Sequence, residues 1–126
     1  MVWRTSRFGP NVTTPAIVGG MVIADTVGTS GNSTGAAAFN ATTGHRIWFD
    51  AGFGATASLT ATDGLVFLNG GYFIAILNSS TGATITDLFS PGVSNYTGSV
   101  VPTEGRLYVC TVDPSTGAAT LLAYQP

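Results

Sequence analysis

The sequence predicts an all-β protein made of repeated four-stranded antiparallel units. Short runs rich in Val, Ile, Thr, Phe and Tyr alternate with Gly-containing turns, and no stretch of ten or more residues shows helical periodicity. One layout, an apolar strand, a polar turn with Gly and a second apolar strand, occurs around Gly20, Gly64 and Gly105. These glycines are 44 and 41 residues apart. A period of about 40–45 residues with four short strands is typical of a β-propeller blade.

In the first two units, a second turn follows the third strand. Its sequence is Asn40–Gly44 in the first unit and Asn78–Gly82 in the second, each with Thr before the Gly. The strands that precede it are predicted at Ala36–Phe39 and Tyr72–Leu77. A fourth strand is predicted to follow each turn, and in the first unit it contains Trp48.

The third unit is shorter. Only 12 residues separate Gly105 from Gly117, against 24 and 18 in the first two units, which is too few for two strands and a turn. We therefore expect the turn Asp113–Gly117 to join the second and third strands of this unit. Ala119–Tyr124 is then the third strand, and no fourth strand follows it.

A strand that could complete the third unit is predicted at the start of the chain. Val2–Pro10 precedes the first unit as Ile47–Gly52 precedes the second, with Trp3 and Trp48 in matching places. The sequence therefore predicts about twelve short antiparallel strands in three four-stranded blades, with the N-terminal strand completing the last blade in cis or from a neighbouring copy. The predicted segments are residues 1–10 (orphan strand), 11–53 (first blade), 54–92 (second blade) and 93–126 (third blade lacking its last strand).

The repeat resembles the blades of quinoprotein-like propellers, the family of pyrroloquinoline-quinone (PQQ) dehydrogenases and related non-enzymatic propellers. Ala38–Gly44 followed by Ile47 and Trp48 matches the family pattern, and Ala75–Gly82 matches it with Thr86 in the place of the Trp. The resemblance implies the fold, with Trp48 packed between blades and with Gly44 and Gly82 permitting the turns. It carries over no quinone, calcium or catalytic residue.

Composition narrows the classes of partner. Charged residues make up 8% of the chain, the formal net charge is −2, and all four basic residues are Arg. So few cations predict no binding to nucleic acid, and no apolar run of about 18 residues could span a bilayer. A weakly charged surface favours association between copies.

Asn-X-Ser/Thr triplets predict N-glycosylation and a location outside the cell or on its surface. Five of the six Asn residues begin such a triplet, although Asn and Thr also favour turns. Residues 1–8 contain no secretion signal, so a targeting segment would lie outside this sequence. The five candidates are Asn11, Asn32, Asn40, Asn78 and Asn95.

No catalytic, cofactor or metal site is predicted. The six acids are dispersed, and the single histidine, His45, is expected to be a solvated turn residue. Cys110, the only cysteine, lies in an apolar run and is expected to be buried. Five aromatic residues at strand positions are expected to form core between blades rather than a sugar-binding platform: Trp3, Trp48, Tyr72, Phe73 and Tyr124. The residues assigned structural or assembly roles are Trp3, Trp48, Gly44, Gly82 and Tyr124.

Three functions are compatible with these features. The first is a non-enzymatic extracellular glycoprotein that self-assembles into a ring or filament, because an incomplete blade leaves edges open to pairing with another chain. The second is a fragment of a larger PQQ-type quinoprotein, with enzymatic activity, or of a periplasmic scaffold propeller. The third is a carbohydrate-binding or adhesive propeller.

Overall fold

The computed structural model describes residues 1–4, 14–27, 34–53, 58–62, 64–88 and 96–125. Within these ranges every regular element is a β-strand, and the strands form three antiparallel sheets in which neighbours in the chain are neighbours in the sheet. The prediction of an all-β chain with three blade-like sheets is confirmed. The first sheet contains β1 (Ala16–Val18), β2 (Met21–Val27), β3 (Thr34–Asn40) and β4 (Arg46–Phe53); the second contains β5 (Ser58–Thr62), β6 (Leu65–Asn69), β7 (Ile74–Asn78) and β8 (Thr84–Leu88); the third contains β9 (Tyr96–Thr103), β10 (Arg106–Val112) and β11 (Ala119–Tyr124).

The third sheet has three strands in the described part of the chain. The turn Asp113–Gly117 joins β10 to β11, and β11 spans the range expected for the third strand of this unit. The displaced turn predicted from the 12-residue spacing is therefore confirmed. β11 is paired with β10 along one side and forms an edge of the described sheet.

The N-terminal residues differ from the prediction. Residues 1–4 have no strand structure, and residues 5–10 of the predicted strand lie outside the described ranges. A β-strand requires a hydrogen-bonded neighbour, and residues 1–4 pair with none of the eleven described strands. Trp3 instead lies against the turn that follows β3.

One hydrophobic core lies between the first and second sheets. Its buried side chains come from alternate positions of the strands, because successive residues of a strand point to opposite faces. Burial of this apolar surface is the main force that holds the two sheets together. The core consists of Val18, Ile23, Ala36, Ala38 and Trp48 from the first sheet and Leu59, Val66, Leu68, Ala75 and Leu77 from the second.

A second core lies between the second and third sheets. The hydroxyls of Tyr96 and Tyr124 are hydrogen-bonded at 3.0 Å beside it, and the Tyr96 N–H donates to the carbonyl of Gly71 at 2.6 Å. The hydrogen-bonded hydroxyls provide a polar partner for each other at the margin of an apolar interface. The buried members of this core are Phe67, Ile74, Ile76, Tyr96, Val100, Leu107 and Val109, with Tyr124 packed against it.

The second sheet is covered on both faces, and its sequence reflects this position. Four consecutive residues are buried in β6 and four in β7, so these strands are continuous apolar runs. In β10 burial alternates instead, because only one face of the third sheet packs against a neighbour. The three sheets are therefore a stack in which the second sheet is the central layer.

Truncation of a core side chain of the central layer tests this arrangement. Leu77 has no exposed surface, and Leu77→Ala is expected to lower the free energy of unfolding by about 2–5 kcal/mol. Ile85 on β8 is 55% exposed, and Ile85→Ala should change it by less than about 1 kcal/mol. Guanidinium denaturation of both variants measures the difference. Equal losses would contradict the layered core.

Candidate functional site

The turn after β3 is closed by the side chain of its first residue. The Asn40 Oδ1 accepts hydrogen bonds from the N–H groups of Thr42 and Thr43, both at 2.9 Å. The Gly44 N–H donates to the carbonyl of Asn40 at 2.8 Å, and Gly44 has φ of +73°. Asn forms such turns readily, and Gly adopts the left-handed conformation at little cost.

The turn after β7 has the same construction. The Asn78 Oδ1 accepts from Ser80 and Thr81 at 2.9 and 3.1 Å, and Gly82 has φ of +75°. Both turns are also tied to the first hairpin of their own sheet. Ala41 donates its N–H to the carbonyl of Gly20 at 2.9 Å, and Ser79 donates to that of Gly64 at 3.0 Å.

The third turn uses Asp113 in place of Asn. Its Oδ1 accepts from the Ser115 N–H at 2.8 Å, the Ser115 hydroxyl at 2.6 Å and the Thr116 N–H at 3.3 Å. The hydrogen bonds from Ser115 hold the pKa of the Asp113 carboxyl below its usual range. Pro114 stands where the first two turns have an N–H donor to the first hairpin, and it has no N–H to give.

Trp48 of the first sheet docks onto the turn of the second sheet. Its indole Nε1–H donates to the carbonyl of Ser79 at 2.8 Å, and its ring covers Gly82 so closely that a Cβ on this glycine would lie 2.5 Å from Cε3. Trp48 is 8% exposed. The contact joins two sheets through one buried side chain, one directional hydrogen bond and one glycine.

Trp3 makes the same contact with the turn of the first sheet. Its Nε1–H donates to the carbonyl of Ala41 at 2.9 Å, and a Cβ on Gly44 would lie 2.7 Å from the indole ring. The matching places of Trp3 and Trp48 in the sequence therefore correspond to matching contacts. In the third turn, a Cβ on Gly117 would meet no atom within 4 Å.

The acceptor triplets coincide with these turns at two positions. Asn40 and Asn78 are half-buried, and each uses its side-chain oxygen to close its turn. Asp113 closes the same turn and cannot carry an N-linked glycan, so the turn itself requires a side-chain oxygen at this position and not a glycan. Asn11, Asn32 and Asn95 lie outside the described residues.

Cys110 is exposed, although its apolar sequence context predicted that it would be buried. In β10 the residues that face the second core are Leu107, Val109 and Thr111, and the intervening positions point to the opposite face. The apolar run correctly indicated a strand, but only one face of this strand is covered by a neighbouring sheet. His45 is exposed in its turn, as its position after Gly44 predicted.

The aromatic residues considered for a sugar-binding platform lie in different places. Trp48 belongs to the first core and Phe73 packs against it, while Tyr124 packs against the second. Tyr72 is 69% exposed, and Trp3 lies on the turn of the first sheet. Core packing was correctly predicted for Trp48, Phe73 and Tyr124 and was wrong for Tyr72.

In the described ranges, no cluster of three or more His, Cys, Asp or Glu side chains could hold a metal ion. The same ranges contain no helix with the length and hydropathy needed to cross a membrane. The arrangement that recurs in these ranges is the docking of an indole onto a turn glycine. This contact holds one segment of the chain against a turn of a neighbouring sheet.

These sheets and their docking contacts define a β-propeller-type fold. The chain is similar in structure to BamB from Moraxella catarrhalis, with a TM-score of 0.59 and 21% sequence identity over 85% of this chain. The matched region covers 30% of the BamB chain, so this chain spans less than a third of the length of that protein. No family model and no curated protein matches the sequence significantly.

The sequence predicts that Trp48 packs between sheets but does not predict which residues it contacts. Gly44 and Gly82 were predicted in the turns for their backbone conformation alone. Each also lies in direct contact with an indole ring. The sequence signal for this contact is that a Trp and an Asn-to-Gly turn both recur at matching positions of the repeated units. It did not show that the Trp of one unit meets the turn of the next.

Two glycine substitutions separate the docking contact from the backbone requirement. Gly82→Ala and Gly117→Ala impose the same left-handed strain, about 1–2 kcal/mol, because φ is +75° and +72°. Only Gly82→Ala also displaces the indole of Trp48, which should cost about 1–3 kcal/mol more. Denaturant unfolding followed by Trp fluorescence measures both. Equal destabilisation would show that docking contributes nothing.

Proposed function

We propose that this chain is a non-enzymatic structural protein whose propeller sheets self-assemble by strand complementation. The observation that carries the proposal is the contact of Trp3 with the turn at Gly44, which repeats the contact of Trp48 with the turn at Gly82. Trp48 belongs to the outer strand of the preceding sheet. Trp3 therefore occupies the place of a residue from a sheet that would precede the first one.

The third sheet has an edge strand to which the N-terminal segment of another copy could add. It has three described strands against four in the other two, and β11 is its edge. An unpaired edge offers a row of backbone N–H and C=O groups to another strand. The segment that contains Trp3 would add to β11 of a neighbouring copy and complete a four-stranded sheet. Repetition of this head-to-tail contact gives a ring if the rotation closes and a filament if it does not.

A second candidate is that the chain is part of a longer scaffold propeller. It is favoured by the structural similarity to BamB, which extends over 85% of this chain and 30% of that one. In that case the sheets before the first and after the third belong to the same polypeptide. Mass measurement of the native protein after enzymatic removal of N-linked glycans separates the two candidates, because a longer chain then still exceeds the 12.8 kDa of this sequence.

We propose a location in the cell envelope, on the cell surface or outside the cell. The support is the set of five Asn-X-Ser/Thr triplets. N-linked glycans would leave the chain after treatment with a glycosidase, with a matching loss of mass. The proposed attachment residues are Asn11, Asn32, Asn40, Asn78 and Asn95.

Deletion of residues 1–9 tests strand complementation. The full chain is expected to sediment as oligomers, and the deletion variant should sediment as a monomer because it lacks the donor segment with Trp3. Deletion of Met1 and Val2 alone is the matched control, since both side chains are almost fully exposed, and it should leave assembly intact. Oligomers of unchanged size after deletion of residues 1–9 would refute the mechanism.

A further inference from the structure

The turn after β3 is closed by hydrogen bonds that do not involve the indole lying on it. The Asn40 N–H donates to the carbonyl of His45, and the Gly44 N–H donates to the carbonyl of Asn40, both at 2.8 Å. The side chain of Asn40 accepts two further hydrogen bonds from backbone N–H groups of the turn. Removal of the Trp3 side chain would therefore leave the hydrogen bonds that close the turn in place.

The third turn shows that this geometry persists without an indole. The Gly117 N–H donates to the carbonyl of Asp113 at 2.8 Å, and Gly117 has φ of +72° against +73° for Gly44. A Cβ on Gly117 would meet no atom of the described residues within 4 Å, whereas one on Gly44 would lie 2.7 Å from the Trp3 ring. A turn of this type therefore holds its shape when no aromatic ring lies on it.

Two features of the first turn select an indole. The backbone of Gly44 lets the ring approach to a distance at which a Cβ would collide with it. The carbonyl of Ala41 accepts from the indole N–H at 2.9 Å. Its direction is fixed, because the N–H of the same peptide group, that of Thr42, donates to the Asn40 Oδ1 at 2.9 Å. The second turn holds the indole of Trp48 through the same two features.

Trp3 is held by fewer contacts than its counterpart. Trp48 is 8% exposed and lies in β4, which is paired with β3. Trp3 is half-buried, residues 1–4 have no strand structure, and the two residues before Trp3 are almost fully exposed. In the described part of the chain, release of Trp3 thus breaks one hydrogen bond and one ring contact and separates no pair of strands.

We propose that the turn Asn40–Gly44 is an exchangeable binding site for an indole ring with a free N–H, and that the tryptophan of another segment can replace Trp3 in it. Ala41 accepts the hydrogen bond with its carbonyl, and Gly44 packs against the ring. Trp3 is then an intramolecular ligand that competes with external ones. The site requires one chain and one ligand, so the proposal is independent of self-assembly.

Free indole tests the site in the chain with the substitution Trp3→Ala. This variant should fold, as circular dichroism will check, because Trp3 belongs to neither core. Indole should bind saturably, in the millimolar range expected of so small a ligand, and should shift the amide resonances of residues 41–44 in ¹⁵N NMR spectra. 1-Methylindole has the ring without the N–H and should bind about 3–10-fold more weakly, the equivalent of one hydrogen bond. Equal binding of the two ligands would contradict the assigned ligand chemistry.

Two glycine substitutions on the Trp3→Ala background locate the bound ring. Gly44→Ala places a Cβ where the ring lies and should abolish binding. Gly117→Ala imposes the same backbone strain in a turn that carries no indole and should leave binding unchanged. Binding that survives Gly44→Ala would place the ligand elsewhere and overturn the proposal. A folded Trp3→Ala chain without saturable binding would overturn it as well.

The unsubstituted chain provides a test that does not depend on the folding of a variant. It contains two tryptophans, so two indole N–H resonances are expected in its ¹⁵N spectrum. A short tether gives Trp3 an effective concentration of about millimolar, so millimolar indole should compete with it. The Trp3 resonance should then move toward its position in an unfolded chain while the Trp48 resonance stays in place. Movement of both resonances, or of neither, would show that Trp3 does not exchange at this turn.

Discussion

The position of the first sheet on the second depends on an indole that lies against a glycine of the second sheet. Trp48 joins the first two sheets through the carbonyl of Ser79 and the bare backbone of Gly82. The hydrophobic effect brings the sheets together without fixing their relative position, whereas a hydrogen bond and a contact that any Cβ would prevent are directional. The turn that Asn78 closes thereby fixes the register between sheets as well as between strands.

The proposed assembly is based on the way in which this contact repeats. Trp3 contacts the turn of the first sheet in the way in which Trp48 of the first sheet contacts the turn of the second. Trp3 therefore occupies a position that corresponds to a residue of a preceding sheet. At the other end, the third sheet presents an edge strand. These two features support the proposal that the three sheets are one segment of a longer stack.

The sequence predicted the strands well because turn glycines and alternating apolar residues are local signals. The displaced turn at Asp113 was found from spacing alone, and β11 follows it as expected. The failures concern contacts between distant segments. Cys110 was expected to be buried because its run is apolar, but burial depends on which sheet faces are covered. The indole contacts were also missed, since Trp48 and Gly82 are brought together only by the packing of sheets.

Hydrogen exchange of the Trp48 indole N–H tests most directly whether the docking contact fixes the first sheet on the second. We predict that this proton exchanges only when the molecule unfolds globally, so its opening free energy should equal the free energy of unfolding measured with denaturant. The indole of Trp3 is half-buried and should exchange faster. Rapid exchange of Trp48 in a folded protein whose core amides stay protected would contradict the account, because the sheets would then remain together without the contact.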